Sequence, residues 1–142
     1  MSLFTRDLNR LKTEISTYTD EANIWKVAPG ISNSAGNLTL HLIGNLNHFI
    51  GATLGATGYV RKRDEEFSSK GIARAVLLAD LDNTIAMMQA VLSRQSNDDL
   101  DKEFPLELNG KKYMAGEFMI HLYGHLGYHL GQINYHRRLL DK

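Results

Sequence analysis

Residues 121–140 read HLYGHLGYHLGQINYHRRLL. His125 and His129 are four apart in a run with helical periodicity, and at about 100° per residue such positions share a face one turn apart. Two imidazoles so placed can hold one metal ion between them. With Phe118 set at 0°, Leu122, Leu126, Ile133 and Leu140 fall within about 40–80° and define an apolar arc. His125, His129, Gln132 and His136 fall within about 40° of zero, inside that arc or at its edge. His121 and Glu117 lie toward its boundary. The expected core-facing seam is Phe118, Leu122, His125, His129, Gln132 and His136. Buried polar groups need partners, since each unpaired one costs about 1–3 kcal/mol. One histidine on such a seam reads as a core residue satisfied by a hydrogen bond. A row of three points to a ligand set.

Working outward, three more helices are expected. In residues 3–25, Phe4, Leu8, Leu11, Ile15, Tyr18, Ala22 and Trp25 alternate steps of four and three, as a bundle helix requires; Pro29 and Gly30 then break the chain. A second helix runs from residue 37 to about 55–58. A third covers 69–94, with Leu78, Leu81, Ile85, Met88 and Leu92 on one stripe, and the fourth covers 114–140. At 1.5 Å per residue these helices are about 30–39 Å long, and together they predict an all-α four-helix bundle. The polar stretch YVRKRDEEF, residues 59–67, separates helices 2 and 3. Between helices 3 and 4, PLELNGKKY has two short runs around Asn109–Gly110 and predicts a small hairpin or an extended arm. No repeat, low-complexity tract or linker divides residues 1–142, so a single domain is expected.

Helix 2 carries two histidines, His41 and His48, seven apart and so on nearly one face, with Asn45 one turn after His41. Either histidine could complete a three-histidine site with the pair on helix 4; periodicity does not choose between them. Gly44, Gly51 and Gly55 lie on one face of helix 2, and Gly124, Gly127 and Gly131 punctuate helix 4. Each mid-helix glycine costs about 1 kcal/mol relative to alanine. Close helix approach, room beside a site, or a dimer contact would offset that cost.

Composition removes several function classes. The 16 basic and 16 acidic residues balance, so no net field attracts nucleic acid or an acidic membrane surface. The chain has no cysteine, which excludes disulfides, cysteine zinc sites and a protein thiol nucleophile. No signal-peptide pattern and no apolar run of spanning length is seen, so a cytoplasmic protein is expected. No Ser/His/Asp arrangement, phosphate loop or dinucleotide fingerprint competes with the histidines.

His41-Leu-Ile-Gly-Asn45, then RKRDEEF at 61–67, then His125-x-x-x-His129-Leu-Gly-Gln132 resemble the DinB-like superfamily of small metal-binding four-helix proteins. The resemblance covers nearly the whole chain. It implies a divalent metal, zinc or nickel, held by His41, His125 and His129. His48 and His121 are not matched by the ligand pattern. Relatives transfer low-molecular-weight thiols such as bacillithiol or glutathione, act as thiol-dependent isomerases, or are described as metal-dependent hydrolases. They are often dimers, so a homodimer is one expectation. Three protein ligands leave an open position on the ion, the catalytic rather than the structural arrangement. Asn45, His48, His121 and Gln132 are the candidates for orienting a small-molecule substrate or moving a proton. Arg61, Lys62 and Arg63 either steer an anionic cosubstrate or are simply solvated. The alternative is a stress-response bundle that binds a metal or ligand without turnover.

Overall fold

In the computed structural model, which describes residues 2–142, helix α1 (Ser2–Thr17) buries Phe4, Leu8, Leu11 and Ile15 on one stripe. Helix α2 (Ala35–Leu46) runs through a wider turn, Asn47–Ala52, into the short α3 (Thr53–Gly55). Helix α5 (Arg74–Leu92) buries Leu77, Leu81, Thr84, Met88 and Val91, and helix α7 (Ala115–Leu140) buries Phe118, Leu122, Leu126 and Ile133. Both α1 and α2 pack on α5 and α7, closing the expected four-helix bundle. Full burial of each large aliphatic side chain in this core contributes about 1.5–3 kcal/mol.

The long first helix is not continuous. It stops at Thr17, and Glu21–Trp25 form a separate tight turn. Polar side chains favour the break. Asp20 caps the turn through the Ala22 amide, and Asp141 accepts from the Thr19 amide, the Thr19 hydroxyl and Asn23 Nδ2 at 2.7–2.9 Å. The third helix also starts later than expected, at Arg74, where Glu21 Oε1 accepts from the first backbone amide at 2.7 Å. The polar separator contains a helix of its own, α4 (Arg63–Ser68), and α6 (Asn97–Leu100) opens on a Ser96–Asp99 capping box. Contrary to the composition reading, α5 is long and apolar enough to cross a membrane by length and composition alone. Its buried stripe faces α1 and α2, while Asp82 on its outer side pairs with Lys12, the pattern of a bundle helix.

The arm between α6 and α7 is held by isolated antiparallel bridges, Glu103 to Met114 and Leu108 to Lys111. Asn109 and Gly110 occupy its turn with φ of 53° and 73°, the left-handed pair that a two-residue hairpin turn demands. Phe104 from the arm stacks on Phe118 at 4.0 Å, and Phe49 closes on the same ring at 5.1 Å. The arm thus covers the bundle end where α7 begins.

Candidate metal centre

Phe49 meets Phe118 at one level of the α2–α7 interface, and His41 meets His125 at the next, so the two helices run antiparallel. That register brings His41, His125 and His129 together. His125 Nε2 lies 3.1 Å from His41 Nε2 and 3.1 Å from His129 Nε2. One ligand atom from each ring falls within 4.8 Å of the others. Imidazole nitrogens bound tetrahedrally at about 2.0–2.1 Å from zinc stand about 3.3 Å apart, close to the observed spacing.

The proton inventory fits a cation at this point. His41 Nδ1–H donates to Glu66 Oε2 at 2.9 Å, and His129 Nδ1–H donates to Gln132 Oε1 at 2.7 Å. With those protons on Nδ1, both Nε2 atoms direct lone pairs toward His125. A proton on His125 Nε2 serves one of them at a time, whereas a cation would accept the Nε2 lone pairs of all three rings. His125 Nδ1 is buried with no hydrogen-bond partner among the described residues. Burial first, and then the facing imidazoles, push the His125 pKa down to about 4; burial also lowers His129. Both rings are therefore neutral at neutral pH, the form that ligates.

Behind His41 stands a charged partner that the sequence reading missed. Glu66 on α4 is buried and takes Arg61 Nε on Oε1 at 2.7 Å and Arg61 Nη2 on Oε2 at 2.9 Å. Burial alone would raise its pKa, but the hydrogen bonds from His41 and Arg61 outweigh it and hold the group below the usual carboxylate range. Lys62 and Arg63 are solvated, whereas Arg61 is drawn inward by this pair. The available signal was three acidic residues opening a short helix beside a basic run, which reads equally as a solvated charge cluster.

The remaining candidates lie around the three rings or do other work. Gln132, placed on the core-facing seam by the wheel, is exposed; it holds His129 from outside and approaches the Tyr128 hydroxyl at 3.4 Å. His136 is a satisfied core residue, accepting from the Tyr18 hydroxyl at 2.7 Å and donating to the Lys26 carbonyl at 2.9 Å. His48 lies in the wider turn against Phe49, half-buried, with its pKa lowered by burial. His121 is exposed beside Tyr113 and Phe118. Asn45 is buried one turn from His41, and its Oδ1 has no partner among the described residues.

A helical bundle with three imidazoles converging from two antiparallel helices defines a class of all-α proteins that could hold a metal ion. The chain belongs to the DinB superfamily, whose family model matches residues 3–133 of its 142. No curated protein sequence matches it.

Proposed function

We propose that this protein is a metal-dependent enzyme that adds a low-molecular-weight thiol, or water, to an electrophilic small molecule. The convergence of three imidazole Nε2 atoms, two of them with their Nδ1 protons already engaged, carries this reading. A divalent ion held there, zinc or nickel, supplies a Lewis acid with an open position, which lowers the pKa of a thiol or water toward neutrality. The chain's own residues prepare the site. Burial keeps His125 and His129 neutral, while Glu66 and Gln132 fix two of the rings. The absence of cysteine means that any sulfur arrives with a cosubstrate.

Gln132 also borders a groove of about 240 Å³ formed with Leu38, Ile31, Tyr135, His136 and Leu139. Leu38 lies about one turn before His41, and Gln132 one turn after His129, so the groove adjoins the histidine layer. No charged side chain lines it, which suits an uncharged electrophile. The balanced charge of the chain favours such a partner over nucleic acid.

Elemental analysis of untagged protein, followed by assay of bacillithiol, glutathione, cysteine and coenzyme A against model electrophiles, tests the reading. One divalent ion per chain, and turnover by the loaded form that is lost on chelation and in His41→Ala, are the expected results. Failure to take up zinc or nickel, or activity that survives chelation, would overturn it. Metal binding with no turnover and no exchangeable water would leave the non-catalytic binding role in its place.

A further inference from the structure

We infer that Glu66 is a positioning residue for the metal centre and that Gly44 is the gap in α2 that admits it. The inference deepens the metal reading above, but one arm of its test does not depend on a metal.

The fold delivers Glu66 to His41 through several independent contacts. Ser34 caps α2 through the Asn37 amide at 3.1 Å, and the Asn37 side chain then donates to the Glu66 and Ser69 carbonyls at 3.0 and 2.8 Å. The backbone of α4 is thereby fixed to the start of α2 without using the Glu66 carboxylate. The next residue, Phe67, lies against the His41 ring with centroids 4.9 Å apart. The carboxylate enters α2 where a side chain is missing. A Cβ at residue 44 would lie 2.0 Å from Glu66 Oε1 and 2.8 Å from its Cδ, distances no real Cβ contact shows. Arg61 then grips both carboxylate oxygens, with its Nη2 also 3.3 Å from His41 Nδ1, so the carboxylate and not the guanidinium must be the partner of the Nδ1 proton.

This arrangement does two things to His41. It fixes the plane of the ring, and it holds the proton on Nδ1 so that the Nε2 lone pair faces His125. His129 receives the same service from Gln132, but through a neutral oxygen. Among the three rings, His41 is therefore the one with a charged acceptor behind it. Carboxylate–histidine pairs of this kind raise ligand basicity, and losing the partner typically weakens metal affinity 10–100-fold.

The test uses four variants: Glu66→Gln, Glu66→Ala, Gly44→Ala and the double variant Gly44→Ala/Glu66→Ala. In metal-free protein, nitrogen NMR of the His41 ring reads which nitrogen carries the proton. Nδ1–H is expected in the wild type and in Glu66→Gln, whose amide oxygen still accepts. A mixture of tautomers is expected in Glu66→Ala and Gly44→Ala. Zinc affinity, measured by chelator competition, should fall about 10–100-fold in those two and less in Glu66→Gln. The double variant should lose no more than Glu66→Ala alone, because the clash disappears with the carboxylate. Circular dichroism checks that each variant folds; if Glu66→Ala does not, Glu66→Gln and Gly44→Ala decide the matter. Wild-type tautomer and affinity in Gly44→Ala and Glu66→Ala, or losses that add independently in the double variant, would overturn the inference. If the wild type takes up neither zinc nor nickel, the enzyme reading fails and the tautomer measurement alone decides the role of Glu66.

Discussion

The six histidines of this chain divide by what their ring nitrogens meet. His136 has a donor on one nitrogen and an acceptor on the other, so its substitution opens a cavity and strands the Tyr18 hydroxyl. His136→Ala should cost about 2–4 kcal/mol in urea unfolding while leaving zinc uptake unchanged. His125→Ala should do the reverse, abolishing uptake without unfolding the bundle. Loss of metal in both would mean that the two classes have been confused. The pair at 125 and 129 was legible because helical spacing alone places it on one face. The choice of His41 over His48 was not legible from spacing, because residues seven apart share a face; only the family resemblance pointed to His41. Gln132 was misplaced because, at about −40° on the wheel, it lies at the margin of the arc away from Leu122, Leu126 and Ile133, whereas His136, one turn further on at about 0°, is buried.

Elements that rest on long periodic stripes, α1, α2, α5 and α7, were readable, and so was the Asn109–Gly110 turn, whose geometry follows from two residue types. The break after Thr17 was not, because it depends on Asp141, far along the chain. Six residues of α4 are too few to show a period. The helix glycines separate into two kinds. A Cβ at Gly36 would lie 2.6 Å from the Trp25 ring, and one at Gly55 2.4 Å from Val91, so alanine at either position should destabilise the fold. Around Gly124, Gly127 and Gly131 nothing lies within 4 Å. Alanine at each of these three should therefore stabilise by about 1 kcal/mol, the helix-propensity difference, as read by thermal or urea unfolding. No gain at any of the three would show that this face of α7 is covered in solution.

For the molecule as a whole, proton uptake opposes both folding and metal binding. His48, His125, His129 and His136 all have folded pKa values below the ordinary 6.5, chiefly through burial. Between 6.5 and a lowered folded value, the unfolded chain holds more protons, so stability falls as the pH falls through that window. For His125 the window runs from 6.5 down to about 4. The melting temperature of metal-free protein should decline as the pH falls from about 6.5 toward 4, and a flat profile there would contradict the buried neutral histidines. The core of four apolar stripes does not depend on a metal, so helical circular dichroism should persist after chelation. Adding zinc back at a hundredfold excess over Kd should then stabilise by about 2.7 kcal/mol. Collapse of the helical signal on chelation would place the centre among structural sites instead.

Two of the three converging imidazoles belong to α7, which follows every other helix in the chain. Synthesis is vectorial, so a nascent chain that has already emerged through α5 exposes His41 with neither of its companions. No three-histidine pocket exists for an ion to enter until α7 has left the ribosome and docked antiparallel to α2. Any ion would therefore enter only after α7 has docked, and the choice among ions would be made at that step rather than when His41 first emerges.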